Sequence, residues 1–290
     1  MSRQPAIEDR IRALPCWRGL VDIEPLPGGL TNMNMLVRCE GQSFVARFGI
    51  DTPAHGIDRG VEALVSAAAA RIGLAPGLVF AGDGFLVFHH VAGRTLSAAD
   101  LGREPYLGRT VDRLRRCRDE MPIACDFALP DRRPIPILKG YLAQLAAPSH
   151  RWHGAAAPIE PRLKGLSQRL AGRPVGFAHN DIHAGNLIDD GSRLWLIDWE
   201  YAGAGDPLVD LASLINNSDL EPMDEVRAAE LWLGRAPDAA FMAELADLRL
   251  AAALRDLLWG YVQDGLAGGL ADYIAINRRR VDRCAAQARL

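Results

Sequence analysis

Two aspartates and one asparagine stand out by their spacing. One aspartate and the asparagine lie in a short polar loop, and the second aspartate directly follows the next apolar run. Asp181 precedes Asn186 by five residues, and Asp198 follows Asn186 by twelve, at the end of the run 194–197. Phosphoryl transfer requires a carboxylate that accepts the proton of the attacking hydroxyl, and hard oxygen ligands that hold Mg²⁺ on the phosphates. We therefore predict that Asp181 is the base and that Asn186 and Asp198 hold magnesium.

Two other interpretations of this loop are open. Asp181 and Asn186 each suit a turn, and Asp198 alone would suit the end of a strand. His179 and His183 are four residues apart, the spacing of two zinc ligands on a helix. Glycine and asparagine follow the second histidine directly, which disfavours a helix there. The combined spacing favours the phosphotransfer site over both alternatives.

The predicted secondary structure around this loop changes along the chain, from mainly strands to mainly helices. The first part predicts two hairpins, with strands at 35–39 and 43–48 and at 78–80 and 85–88, around one helix over 57–72. Apolar periodicity then predicts helices at 101–118, 135–147, 161–170, 242–258 and 271–289, with short strands at 175–178 and 194–197. We predict an α+β protein with a β-rich N-terminal lobe over 1–92 and a mainly helical lobe over 93–290.

Two sequence motifs resemble those of a known family. The H-N-D-x-x-x-x-N loop from His179 and the I-D-W-E-Y run from Ile197 are similar to the signatures of the choline/ethanolamine kinase family. The resemblance covers about residues 26–263. It implies a two-lobed protein-kinase-like fold, ATP and Mg²⁺ as cofactors, and a small amino alcohol as the substrate. Related aminoglycoside phosphotransferases more usually have glycine where this chain has Asn180.

The same resemblance assigns residues to ATP. Residues 26–32 resemble a glycine-rich phosphate loop, in which backbone N–H groups approach phosphate oxygens. The end of the predicted strand 85–88 resembles the segment that binds adenine through main-chain groups. The residues assigned in this way are Gly28, Gly29, Thr31, Asn32, His89 and Val91.

The phosphates also require a cation, and lysine is scarce in this chain. Of the 33 basic residues only Lys139 and Lys164 are lysines, so an arginine must act in the N-terminal lobe. Arg47 lies where the family places this residue, and Glu62 on the predicted helix is its expected partner, because guanidinium and carboxylate pair bidentately. The kinase-like resemblance also makes Glu200 a ligand of a second Mg²⁺.

The resemblance implies an aromatic site for the acceptor. Tyr201 and Trp259 match positions that face a cationic headgroup, and aromatic rings attract such cations through their quadrupole. Val262 stands where the animal enzymes have a second tryptophan. Asn217 stands where an acidic residue is expected, and Asp219 is close enough in sequence to replace it. The resemblance further implies that Asp210 braces the catalytic loop.

Composition limits the remaining classes. A net charge of −3 argues against a nucleic-acid partner, and we find no apolar run long enough for a membrane span. Five scattered cysteines fit a reducing cytoplasm, where we expect the protein. The oligomeric state is not indicated. A different acceptor on the same scaffold, such as thiamine, an aminoglycoside or a sugar, stays open, as does a catalytically idle nucleotide-binding module.

Overall fold

The chain forms two compact units in a computed structural model that describes residues 3–26, 32–155, 157–218 and 220–288. The first unit comprises Met1–Arg94 and Ile188–Glu200, and the second comprises Thr95–Leu187 and Tyr201–Leu290. The first carries a β-sheet and the second is mainly helical, which confirms the α+β class. The lobe boundaries at 1–92 and 93–290 stay a prediction.

An antiparallel sheet forms the centre of the first unit. Its strands are β1 (Val21–Leu26), β2 (Met33–Cys39), β3 (Gln42–Phe48), β4 (Leu78–Gly82) and β5 (Phe85–His89). They lie in the order β1-β2-β3-β5-β4. Both predicted hairpins are confirmed. Glu40 and Gly41 turn β2 into β3 with φ of 49° and 73°, and Asp83 and Gly84 turn β4 into β5 with φ of 51° and 78°, as tight two-residue hairpins require.

One face of the sheet packs into an apolar core, and the other face carries a charged side chain. Ile7 and Ile11 of helix α1 (Arg3–Arg12) belong to the same buried apolar cluster as Phe44 and Ala46 of β3. Side chains alternate along a strand, so Arg47, the next residue, projects from the opposite face. This alternation places one charged side chain at the middle of the sheet.

Helix α2 (Arg59–Arg71) begins two residues later than the prediction of 57–72. Ile57 is held in a bridge with Thr52, and Asp58 caps the helix by accepting the N–H of Val61 at 3.0 Å. The cap sets the first helical residue, and the helix carries Glu62 in its first turn.

The second unit is built around one long helix. Its helices are α3 (Ala98–Leu101), α4 (Tyr106–Ala124), α5 (Pro134–Leu145), α6 (Glu160–Arg169), α7 (Leu208–Ser218), α8 (Pro222–Leu233), α9 (Ala239–Ala267) and α10 (Ala271–Gln287). Helix α9 contacts α5, α7 and α10 and buries Leu248, Leu254 and Leu258 completely. The single helix predicted over 101–118 is two helices, with Pro105 between them. Among the described residues no helix is long and apolar enough to cross a membrane.

The described residues also form five short strands: β6 (Arg94–Thr95), β7 (Gly176–Ala178), β8 (Leu187–Asp189), β9 (Leu194–Leu196) and β10 (Gly203–Gly205). Strand β7 pairs antiparallel with β10, and a second small sheet has the order β6-β8-β9. The predicted strands 175–178 and 194–197 are confirmed as β7 and β9. The polar loop 179–186 starts directly after β7, so a paired strand fixes its first residue.

Candidate active site

The polar loop 179–186 brings Asp181 and Asn186 into direct contact. A short 3₁₀ turn over Ala184–Asn186 folds the loop back on itself. The Asn186 Nδ2 donates to the backbone oxygen of Asp181 and to its carboxylate Oδ2, each at 2.9 Å. One amide group therefore fixes both the backbone and the carboxylate of the predicted base.

The residue before the base has an unusual backbone. Asn180 has φ of 65°, in the left-handed region that favours glycine or asparagine. Its N–H donates to Asp210 Oδ1 at 2.8 Å, and its carbonyl accepts from Arg255 on α9. Asparagine can therefore take the place of the glycine that related phosphotransferases have here, because both residue types adopt this conformation.

The environment of Asp181 favours its ionised form. Burial alone would raise the pKa of this carboxyl. The neighbouring His183, whose Nε2 lies 3.6 Å from Asp181 Oδ2, together with His179 and Arg255, lowers the pKa to about 2. Asp181 is therefore a carboxylate at neutral pH, as a proton acceptor must be.

Asp210 on α7 holds the backbone of the same loop. Its two oxygens accept the N–H groups of His179 and Asn180, at 2.8 Å each. Burial raises the pKa of the Asp210 carboxyl to about 7, although both backbone hydrogen bonds oppose this shift. This geometry supports the bracing role that the family resemblance implies for Asp210.

Four predicted site residues with charged side chains form a cluster in the first unit. The Arg47 Nη1 donates to Glu62 Oε1 at 2.8 Å, while its Nη2 donates to Asp198 Oδ1 at 2.7 Å and to Glu200 Oε2 at 2.8 Å. Burial raises the pKa values of Glu62 and Glu200, and the charge of Asp198 adds to both shifts. The fork of one guanidinium holds three carboxylates together.

Asp198 reaches this cluster through a strained backbone. Its φ is 69°, in the left-handed region that residues other than glycine adopt uncommonly. Such backbone strain is retained where the surrounding structure imposes it, and it occurs often at functional sites. The turn directs the carboxylate towards Arg47 just after β9 ends.

The acidic part of the cluster suits a divalent cation. One carboxylate oxygen each from Glu62, Asp198 and Glu200 lies within 4.8 Å of the others. Carboxylate oxygens are the ligands that Mg²⁺ prefers. Both carboxylate oxygens of Glu62 accept hydrogen bonds from arginines. Asp198 and Glu200 are therefore the carboxylates of this cluster that fit the role of metal ligands. Asn186 belongs to the other unit, and its part in a metal site stays a prediction.

The two predicted acceptor residues contact each other. Trp259 on α9 donates its Nε1–H to the Tyr201 hydroxyl at 2.8 Å. The Trp259 ring also meets the ring of Tyr273 on α10 edge to face, with centroids 5.3 Å apart. Three half-buried aromatic rings therefore form one group in the second unit.

Asn217, which stands where the family resemblance implies an acidic residue, contacts the polar loop 179–186. Its Nδ2 donates to the carbonyl of Ile182 at 2.8 Å, so this side chain braces that loop. Its suggested replacement, Asp219, lies outside the described residues, as do Gly28, Gly29 and Thr31 of the phosphate loop. Asn32 is described and joins the charged cluster by donating to Glu200 Oε2 at 3.0 Å.

The remaining predictions concern histidines and the adenine segment. The N–H of His89 donates to Gly77 and that of His90 donates to Ser43, so the sheet uses both donors, and an adenine contact at His89 or Val91 stays a prediction. In the polar loop 179–186, the Nδ1 atoms of His179 and His183 accept hydrogen bonds from backbone N–H groups. Within the described ranges the cluster suited to a metal contains no histidine, which leaves the zinc alternative without support.

Four residues at these sites were not predicted from the sequence: Arg59, Arg255, Asp256 and Tyr273. A signal existed for Arg59, which lies three residues before Glu62 on the same helix face. The adjacent charges of Arg255 and Asp256 interrupt an apolar helical pattern, and the two side chains form an ion pair at 2.9 Å. For Tyr273 the sequence contains no signal, because its place depends on how α10 packs against α9.

Comparison with solved structures defines the class of the fold. Choline kinase LicA from Streptococcus pneumoniae matches with a TM-score of 0.80 and 20% sequence identity, over 98% of this chain and 99% of that chain. The fold is therefore kinase-like, as the sequence resemblance implied. Residues 22–257 match the family described as the phosphotransferase enzyme family. The chain belongs to this family.

Two relatives show how far the similarity extends. Protein LicA from Haemophilus influenzae is 30% identical over 199 residues, which is 67% of this chain and 57% of that protein. The matched part thus spans less than two thirds of that relative. A thiamine kinase from Escherichia coli is 41% identical over 88 residues, 29% of this chain and 30% of that enzyme.

Proposed function

We propose that this chain transfers the γ-phosphoryl group of ATP to the hydroxyl of a small amino alcohol, with choline or ethanolamine as the acceptor. The observation that carries the proposal is the pair formed by Asp181 and Asn186, in which a carboxylate kept ionised is fixed by an amide of the same loop. Family membership supports the reaction class.

In this reaction Asp181 accepts a hydrogen bond from the acceptor hydroxyl and orients its oxygen towards the γ-phosphorus. The new O–P bond forms as the bond between the γ-phosphorus and the β,γ-bridging oxygen breaks, and ADP leaves with that oxygen. The hydroxyl proton passes to Asp181. A carboxylate with a low pKa suffices, because in a loose transition state the hydroxyl becomes acidic only as the new bond forms.

The first unit supplies the charges for the triphosphate. Arg47, whose Nη1 donates to Glu62 in the structure, neutralises phosphate oxygens. The residues assigned to Mg²⁺ are Asn186, Asp198 and Glu200, and the ion when bound supplies positive charge where phosphate charge develops. Because Arg47 contacts Asp198 and Glu200 directly, loading the site requires these contacts to rearrange.

The aromatic group of the second unit favours a cationic acceptor. Tyr201, Trp259 and Tyr273 offer ring faces and edges next to one another. The charges of the Asp256 and Asp181 carboxylates act on Tyr273, because both contribute, after burial, to raising the pKa of its hydroxyl. An ammonium group gains from such rings and carboxylates, whereas a neutral sugar gains little. These features support an amino alcohol over a sugar.

Thiamine is the second candidate, supported by the local identity with the thiamine kinase. Thiamine also combines a cationic ring with a primary hydroxyl, so the same residues suit it chemically. The two candidates differ in size, and activity measurements separate them.

The test is a panel of acceptors offered with MgATP: choline, ethanolamine, thiamine, an aminoglycoside and a sugar. ADP release and the phosphorylated product are measured together, with Asp181→Asn as the inactive control. We expect the highest kcat/KM with choline or ethanolamine. Turnover only with thiamine, the aminoglycoside or the sugar would replace the proposed acceptor. ATP binding without any product would favour a nucleotide-binding module.

A further inference from the structure

Two arginines hold the same two buried glutamates in the first unit. Arg59, the first residue of α2, donates from Nη1 to Glu62 Oε2 at 2.6 Å and to Glu200 Oε2 at 2.7 Å. Arg47 donates to Glu62 Oε1 and to the same Oε2 of Glu200. Each glutamate therefore has a cation from the sheet and a second cation from the helix.

Arg59 is fixed by neutral groups as well. Its Nη2 donates to Asn32 Oδ1 at 2.7 Å, and its Nε donates to the carbonyl of Ile50 at 3.1 Å. A Cβ atom at Gly49 would lie 2.8 Å from the Arg59 Cζ and 2.6 Å from Asn32 Oδ1. Glycine at this position therefore leaves the space that the guanidinium occupies.

The placement of Arg59 is not explained by helix stability. A positive side chain in the first turn of a helix opposes the helix dipole, which favours negative charge there. Arg59 nevertheless lies at this position, with its guanidinium largely buried among Glu62, Glu200 and Asn32. The helix start would be better served by a neutral or acidic residue, so the contacts with the glutamates account for the arginine.

The shared contacts matter when Arg47 moves. Glu62 and Glu200 are 1% and 6% exposed, and a buried carboxylate without a cationic partner is strongly unfavourable. If Arg47 were their only partner, its movement to a phosphate would leave both glutamates unpaired. Arg59 contacts both, so it can keep them paired while the Arg47 guanidinium turns away.

We propose, on the basis of the phosphotransferase function proposed above, that Arg59 is a positioning residue for the triphosphate. It retains Glu62 and Glu200 when Arg47 is transferred to the phosphates of ATP. Arg59 itself touches neither the nucleotide nor the acceptor in this scheme. Its removal therefore weakens binding of the phosphates and leaves binding of the nucleoside unchanged.

The experiment compares wild type with Arg59→Gln, Arg59→Lys and Gly49→Ala. The affinities for MgATP and for adenosine are measured by calorimetry, and the fold of each variant is checked by circular dichroism. Arg71→Gln, in the last turn of the same helix with an exposed side chain, is the matched control. We expect Arg59→Gln to weaken MgATP binding by tenfold or more with adenosine binding unchanged, and Arg59→Lys to recover part of the loss. Gly49→Ala, which displaces the guanidinium, should act in the same direction.

Each other outcome has a definite meaning. Wild-type MgATP affinity in folded Arg59→Gln would overturn this inference and leave the phosphotransferase proposal intact. An equal loss of adenosine affinity would show that Arg59 only supports the unit's structure, which also overturns it. Failure of the wild-type protein to bind MgATP would disprove both the proposed function and this inference. If Arg59→Gln does not fold, Arg59→Lys and Gly49→Ala decide the matter by the same two affinities.

Discussion

The side-chain nitrogen of Asn186 donates at 2.9 Å to the carboxylate of Asp181. The nitrogen of this amide therefore fixes the orientation of the Asp181 carboxylate. Replacing Asn186 by aspartate would remove the donor and place two like charges in contact.

Asp181→Asn should reduce turnover about 10²- to 10⁴-fold, the usual contribution of a general base. The substitution conserves size and removes only the charge and the acceptor capacity of one oxygen. Binding of MgATP should stay within a few-fold of wild type, because Asp181 is not assigned to the nucleotide. ADP release with choline or ethanolamine measures the first effect, and calorimetry measures the second. Asp282→Asn, at an exposed position on α10, is the control. Undiminished phosphorylation by Asp181→Asn would disprove the assignment of the base.

Arg47→Lys should raise the KM for ATP about tenfold or more, since each hydrogen bond between charged groups contributes about 1.5–3 kcal/mol. The guanidinium spans Glu62 with one nitrogen and Asp198 with the other. A lysine ammonium is a point charge that cannot occupy both places. Initial rates over a range of ATP concentrations give the result. Unchanged kinetics would mean that arginine at this position reflects only the scarcity of lysine in the chain.

Much of the local structure follows from the sequence because it depends on neighbouring residues. The turn at Glu40 and Gly41 needs positive φ at two consecutive residues, and the pattern of the flanking strands fixes its place. The start of α2 depends on the cap at Asp58. The contact between Asp181 and Asn186 is also local, since the two residues are five positions apart in one loop.

Other parts of the sites depend on contacts between elements distant in sequence. Tyr273 joins Trp259 only because α10 packs along α9, and no periodic pattern encodes which ring faces which. Arg59 binds Glu200 across 141 positions of the chain. The short strand β10, Gly203–Gly205, has no apolar pattern and forms through pairing with β7. Tertiary pairing determines these features, so local propensity does not predict them.

Trp259→Leu should raise the KM for choline about 2- to 30-fold, which corresponds to the ~0.5–2 kcal/mol of a well-placed cation–π contact. Trp259→Phe keeps a ring and should lose less, although it removes the hydrogen bond to Tyr201. The neutral analogue 3,3-dimethylbutanol, which has the shape of choline without its charge, distinguishes electrostatics from size. Its KM should respond less to Trp259→Leu. A parallel change for both alcohols would assign Trp259 to packing alone, and Trp195→Phe on β9 is the control.

Asp198→Ala should remove the magnesium dependence of nucleotide binding. In wild type, chelation of Mg²⁺ by EDTA should abolish turnover, and added Mg²⁺ should restore it. In the variant, ATP affinity should be the same with EDTA as with Mg²⁺, because a carboxylate that fits the ion is gone. Calorimetric titrations with and without the metal measure this. Full retention of the magnesium effect in Asp198→Ala would refute the assignment.

Asp210 should make the stability of the protein depend on pH in a particular direction. Burial raises the pKa of this carboxyl to about 7 in the folded chain, from 3.8 in the ordinary case. The folded state therefore binds more protons than the unfolded state between about pH 4 and pH 7, and the group's contribution to the free energy of unfolding falls as pH rises through this window. The fall is on the order of a few kcal/mol.

Asp210→Asn removes the titration, and its amide cannot accept both N–H groups of His179 and Asn180, so the variant should be less stable at every pH. The difference from wild type should be larger at pH 5 than at pH 8, as urea unfolding of both proteins would measure. A difference that does not change with pH would show that Asp210 has no raised pKa, while its two backbone hydrogen bonds would still account for the loss.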